Sequence, residues 1–307
     1  MRLLARFVVA ATIALAHAAT AEPIRVGFTA TGDYFPLFIA KEEGYFAKRG
    51  LDVEPVLVPI NSIIPQALLA NSLEIGGPTP SVFLQAVDGG IDLVAIAGDT
   101  VTGPALVRNT GVIARPDRNI KRPEDFIGKT VGVPGLGAFM HVLFRQWLTS
   151  KGVDDSQVTF VEVAFFNMND ALRSGSVDAV LTGQPVLSRI IETGTGQVAF
   201  HYIDDLPPGQ TVLLFASTRS WAEQNATAAK QFKAAIAEAG EFARSNPDRA
   251  RAYVAKYTKM SLPLTEKVPI SDIQADISEA QLAWWVDIML KNGMLESPID
   301  VGKLIFR

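Results

Sequence analysis

Cysteine is missing altogether and histidine is nearly so: the 307 residues hold no Cys and three His, namely His17, His141 and His201. No disulfide framework, thiolate zinc site, iron–sulfur cluster or cysteine nucleophile can be built from them. The histidines are too scattered for a paired metal motif such as H-E-x-x-H, so neither a metal nor a cofactor is expected. Long apolar runs are missing too. The run at residues 7–16, broken only by Thr12, falls short of the roughly 20 residues that span a bilayer. A basic excess is absent, since 28 Lys and Arg face 32 Asp and Glu for a formal net charge of −4, which disfavours nucleic acid as a partner. The densest basic stretch, Arg115, Arg118, Lys121 and Arg122, lies among Pro116, Asp117, Asn119, Pro123, Glu124 and Asp125 and reads as a solvated loop. The P-loop and the G-x-S-x-G nucleophile elbow do not occur. Gly194-Thr195-Gly196-Gln197-Val198-Ala199 has the letters of a dinucleotide loop but precedes an apolar strand instead of following one.

What is present is a composition of 48% apolar and 20% charged residues, ample for a core and incompatible with disorder. Arg2 and Arg6 flank the early apolar run, and Ala19-Thr20-Ala21 offers a small-x-small site before Glu22, the pattern of an export signal. Residues 1–21 are therefore expected to be a signal peptide cut after Ala21, with the periplasm as destination. No cysteine follows for lipid attachment. Loss of Arg2 and Arg6 leaves 26 basic against 32 acidic residues.

Residues 24–28 alternate as a strand, Pro36 suits the first turn of a helix ending at Gly50, and residues 52–58 alternate again. Such a strand-helix-strand unit calls for a parallel pair. The same grammar returns: Val26-Gly27 is echoed by Val131-Gly132 at an offset of 105, and Ala67-Leu68, Glu74-Ile75 and Pro80 by Ala171-Leu172, Asp178-Ala179 and Pro185 at 104 or 105. Two lobes of similar α/β plan are expected. After Thr211 the plan changes to a strand at 211–216, helices at 226–245 and from Pro247, and a last helix announced by the Ser278 and Gln281 capping-box pair. Trp285 lies on the core-facing stripe of that helix.

In parallel sheets the loops at the carboxyl ends of strands open onto the ligand crevice. Those loops are 29–36, 77–81, 98–104, 134–139, 182–185 and 202–210, and none contains Lys or Arg. Their candidate ligand-binding residues are Thr31, Asp33, Tyr34, Phe35, Pro78, Thr79, Asp99, Leu136, Gly137, Phe139, Gln184, Tyr202 and Asp204. The helix starts after Tyr34 and Gly137 offer N–H groups to a carboxylate or sulfonate. Tyr34 and Phe139 are placed to cover an apolar body, and Thr79 and Gln184 to add hydrogen bonds. The acids Asp33, Asp99 and Asp204 pull the other way, since with no base among the loops they would repel an anion.

Ile24-Arg25-Val26-Gly27 followed by Pro36-Leu37-Phe38-Ile39-Ala40-Lys41-Glu42-Glu43-Gly44-Tyr45-Phe46-Ala47-Lys48-Arg49-Gly50-Leu51-Asp52-Val53-Glu54 resembles the opening of the ABC-importer solute-binding proteins for nitrate, taurine, alkanesulfonates and the thiamine pyrimidine precursor. Ile120-Lys121-Arg122-Pro123-Glu124-Asp125-Phe126-Ile127-Gly128-Lys129 and Ala171-Leu172-Arg173-Ser174-Gly175-Ser176-Val177-Asp178-Ala179 resemble later segments of the same family. The resemblance implies a two-lobed type II periplasmic binding protein with two hinge crossovers. Lobe 1 would be residues 22–108 and 209–307, and lobe 2 residues 109–208. It further implies a monomer that delivers a small organic solute to an inner-membrane ABC permease, with no catalytic step. Gly135-Leu136-Gly137-Ala138 departs from the Gly-Ser-Ser/Thr-Ala of sulfonate binders, and Gln184 stands where an acid is common. Alternatives are an aminopyrimidine receptor, a sensory binding protein, or a pyrimidine-synthesising enzyme; the last carries a cysteine-rich motif that this chain lacks.

Overall fold

The computed structural model describes residues 22–266 and 268–307, so the export-signal expectation lies outside the described residues. Ten strands occur among the described residues: β1 (Ile24–Phe28), β2 (Val53–Leu57), β3 (Ile75–Gly76), β4 (Leu93–Gly98), β5 (Thr110–Ala114), β6 (Thr130–Val133), β7 (Thr159–Glu162), β8 (Ala179–Gly183), β9 (Gln197–Phe200) and β10 (Leu214–Thr218). They sort into two five-stranded sheets, ordered β2-β1-β3-β10-β4 and β7-β6-β8-β5-β9. In each sheet four strands run one way. The reversed one is β10 in the first sheet and β5 in the second.

Burial explains the strand sequences. β4 reads Leu-Val-Ala-Ile-Ala-Gly and is buried along its whole length, as a strand covered on both faces must be. β2 lies at a sheet edge, where Pro55 and its missing N–H are tolerated. The echoed dipeptides occupy equivalent places: β1 pairs in parallel with β2 and β3, setting Val26 opposite Ile75, and β6 pairs in parallel with β7 and β8, setting Val131 opposite Ala179.

Helices Phe35–Glu42 and Phe139–Ser150 follow β1 and β6 and bury most of their apolar side chains. The first is shorter than the sequence suggests. It stops at Glu42 because Gly44, at φ 72°, turns the chain, and Gly50 closes only a short 3-10 turn at Ala47–Arg49. The strand expected at 211–216 is also displaced. Thr211 makes a lone bridge to Val101, and regular pairing with β4 begins at Leu214 opposite Gly98. Helices Ala226–Ser245, Pro247–Thr258 and Glu279–Lys291 stand as expected, the last with Ser278 and Gln281 capping each other. Trp285 is fully buried and donates Nε1–H to the Thr211 carbonyl at 2.8 Å.

The chain crosses between sheets twice, after β4 and after β9, and the two crossings run side by side. Thr102 N–H donates to the Gln210 carbonyl at 2.7 Å, and Gln210 N–H returns a bond to Thr102 Oγ1 at 2.8 Å. No helix among the described residues is long and apolar enough to cross a membrane.

Candidate functional site

Between the two sheets lies a cavity of about 40 Å³ walled from both sides. In this measure that is room for on the order of three waters. The first lobe contributes Thr29, Thr31, Asp33, Asn61, Thr79, Val212 and Leu213; the second contributes Pro134, Ala138, Phe139, Met140 and Phe165. The lobes meet around it. Phe139 N–H donates to Thr79 Oγ1 at 3.3 Å, Gln85 Nε2 to the Gly137 carbonyl at 3.0 Å, and Ser62 Oγ to Glu162 Oε1 at 2.6 Å. Gly32 N–H reaches the Gln184 carbonyl at 3.2 Å, and the Phe139 ring leans on Trp285 with centroids 5.5 Å apart.

Thr79 is the hub on the first lobe. It is the N-cap of helix Pro80–Asp88, accepting from Val82 N–H at 3.4 Å as well as from Phe139. Its own N–H donates to Asn61 Oδ1 at 3.0 Å, and Asn61 Nδ2 donates to Tyr34 Oη and to the Gly77 carbonyl, each at 3.2 Å. The Tyr34 hydroxyl donates to the same carbonyl at 2.5 Å. A side chain at Gly77 would collide with the Tyr34 ring, so this close approach requires glycine.

The candidate residues divide accordingly. Thr31, Asp33, Thr79 and Phe139 share the cavity wall. Tyr34 and Phe35 are buried in the core, where Tyr34 packs edge-on against Phe28. Pro78 is buried, its carbonyl accepting from Leu214 N–H. Gln184 accepts from Ser188 N–H at 3.3 Å through Oε1, which ties its side chain to its own lobe. Leu136 is exposed beside Ser62 and Gln85 on the outer rim. Tyr202 is buried edge-on against Phe144, its hydroxyl without a partner and its pKa raised by burial. Asp204 is exposed and lines a separate groove of about 470 Å³ beside the crossings, with Thr102, Pro104 and Arg108.

The helix start expected to hold an anion has its donors engaged within the protein. Leu136 N–H goes to Glu162 Oε1 at 2.9 Å, Gly137 N–H to His141 Nδ1 at 2.9 Å, Ala138 N–H to the Gly135 carbonyl, and Phe139 N–H to Thr79. His141 must be neutral to accept there, and burial, aided by the Arg145 charge, pushes its pKa down to about 4. Gly137 holds φ at +73°, and a Cβ there would strike the Gln85 amide.

Two carboxylates of the first lobe stand apart: Asp33 after β1 lines the cavity, and Asp99 after β4 is buried off its wall. Asp33 opens onto the cavity and accepts from the Thr31 hydroxyl at 2.8 Å. Desolvation raises its pKa, opposed by hydrogen bonds from Thr31 and Ser271. Asp99 is 1% exposed, and neither carboxylate oxygen has a partner. Desolvation, then the Asp33 charge, raises its pKa well above the usual carboxylate range. No group of three His, Cys, Asp or Glu side chains among the described residues is arranged to hold a metal ion.

Asn61 and Phe165 were not singled out from the sequence. They follow the carboxyl ends of β2 and β7, both paired in parallel with their neighbours, so the rule that located the other loops also covers theirs.

The alkanesulfonate-binding protein SsuA of Xanthomonas axonopodis pv. citri superposes with a TM-score of 0.79 at 19% identity, covering 93% of this chain and 98% of that one. The fold is that of the periplasmic binding proteins. A binding protein of Brucella abortus is 27% identical over 293 residues, 91% of this chain and 88% of its own length. The formylaminopyrimidine-binding protein of Halalkalibacterium halodurans is 26% identical over 251 residues, 77% of this chain and 72% of that protein. With the sequence profile described as NMT1/THI5 like matching residues 31–250, the chain belongs to the NMT1/THI5-like family.

Proposed function

We propose that this protein is the solute-binding component of an ABC importer, working as a monomer in the periplasm and handing a small organic solute to an inner-membrane permease. The observation that carries the reading is the cavity walled by strand-end loops of both sheets, where a solute would touch both lobes and favour their closed arrangement. The hinges then fall near residues 108–109 and 208–209, where the chain passes from one sheet to the other. Binding without catalysis fits the two histidines of the mature chain, both of which have a ring nitrogen bonded to backbone: His141 to Gly137 N–H and His201 to the Thr110 carbonyl.

Phe139, Met140 and Phe165 suit an apolar body. For the polar end the sequence allows a carboxylate or sulfonate, or else an aminopyrimidine-like base. Engagement of the N–H groups at residues 136–139 and the presence of Asp33 on the wall favour the base. Native mass spectrometry of the exported protein tests the reading through a co-purified small molecule, and small-angle scattering tests closure. A saturating solute that leaves the scattering radius unchanged would refute it.

A further inference from the structure

Asp99 and Asn109 hold buried acceptors that have no donor. Asp99 follows β4 directly, and both its oxygens are buried without a partner. The next residue, Thr100, accepts from Val212 N–H at 2.9 Å, and Val212 and Leu213 form part of the cavity wall. Asp99 is therefore set beside that wall, close enough to Asp33 for their charges to interact. Asn109 adds a third acceptor: its Oδ1 is buried and unpartnered, while its Nδ2 donates to the Pro269 carbonyl at 3.0 Å and contacts Ser271 Oγ at 3.5 Å. Ser271 in turn bonds Asp33. Among the described residues no Lys or Arg lines the cavity.

A buried carboxylate left without donors is costly, and the cost is removed by a proton or by a cation that brings its own donors. We propose that Asp33 and Asp99 are the recognition pair for a positively charged nitrogen group of the solute, an ammonium or an amidinium. Asp33 meets it on the cavity wall, Asp99 supplies the countercharge behind, and the aromatic wall covers the remainder. This rests on the solute-binding reading above and assigns the polar end of that solute. It also requires that binding release a proton: the carboxyl group gives up its hydrogen to buffer as the cation takes its place.

Three probes of one shape separate the possibilities: benzamidinium, benzamide and benzoate, with benzenesulfonate as a second anion. Calorimetry at pH 6 in two buffers of different ionisation enthalpy gives affinity and proton count together. Benzamidinium is expected to bind at least tenfold more tightly than benzamide, with net proton release, and benzoate more weakly than both. Asp99→Asn and Asp33→Asn should each weaken benzamidinium at least tenfold, and Asp99→Asn should reduce the proton release. Binding of benzoate or benzenesulfonate with lobe compaction by scattering would overturn the cation assignment and leave the solute-binding reading standing. Failure of all four to bind or compact the protein would count against both. If Asp99→Asn does not fold, the wild-type ranking of the probes still decides, and equal affinity for benzamidinium and benzamide refutes the proposal.

Discussion

Replacing Thr79 by Val keeps the shape of the side chain and removes one oxygen with three partners, of which the Ser81 hydroxyl, at 3.1 Å, is the one next to it in its own helix. Thr79 Oγ1 caps helix Pro80–Asp88 through Val82 N–H, and it receives Phe139 N–H from the other lobe. Loss of the cap should cost about 1 kcal/mol of stability, since such caps contribute about 0.5–2. The second loss has a different outlet. With the lobes shut, Phe139 N–H would be buried without an acceptor, a penalty of about 1–2 kcal/mol. Opening the cleft lets water take that N–H, so this part should appear as a closed-to-open ratio lowered by about five- to thirtyfold. Urea denaturation reads the first quantity. For the second, the cysteine-free chain accepts a clean dye pair at Lys48→Cys and Lys151→Cys, both exposed and on different lobes. Thr79→Ser, which keeps the hydroxyl, should stay within about 0.5 kcal/mol of wild type in both assays. A Val variant with the same interdye distances as the Ser variant would show that the bond across the cleft plays no part in closure.

Trp285→Phe should cost about 2–4 kcal/mol in chemical denaturation, because it strands the Thr211 carbonyl and leaves a void, whereas half-buried Trp284→Phe should cost under about 1. The raised pKa values of Asp33 and Asp99 mean that the folded state holds their protons more tightly than the unfolded chain. Their contribution is thus full below the ordinary carboxylate range and lost as pH rises through the raised folded values, so the stability difference between wild type and Asp99→Asn should shift against wild type on going from acid toward neutral pH. Ser62→Ala removes an exposed bond to Glu162 and should alter closure by less than about 1 kcal/mol, an effect that shrinks in salt and is read by the same dye pair. Mass spectrometry of exported protein should find Glu22 at the N-terminus, and a chain still beginning at Met1 would contradict the leader assignment.

The elements that periodicity can see were legible. Val26-Gly27 and Val131-Gly132 do take equivalent interior positions, each on the strand next to a sheet edge, because a strand flanked by parallel neighbours on both sides needs apolar residues there whatever else the lobe contains. Position along a loop was less legible. Residues 29–36 contribute Thr29, Thr31 and Asp33 to the cavity, yet the next two residues, Tyr34 and Phe35, enter the core, since the helix begins at Phe35 and turns its large residues inward. The state of the donors at residues 136–139 was not legible at all. It depends on His141 one turn along and on Glu162 and Thr79 brought from distant strands and helices.

The two reversed strands carry a consequence for how the molecule holds together. Numbered along the chain, the first five strands and the last five are matching sets, yet each set donates its fifth member to the other's sheet: β5 sits between β8 and β9, and β10 between β3 and β4. The protein is built like a dimer that has exchanged arms and then been fused into one polypeptide. Neither half of the chain, cut between β5 and β6, can complete a sheet alone, because β4 would lose β10 and β9 would lose β5. Expressed separately, the two halves should associate to become folded.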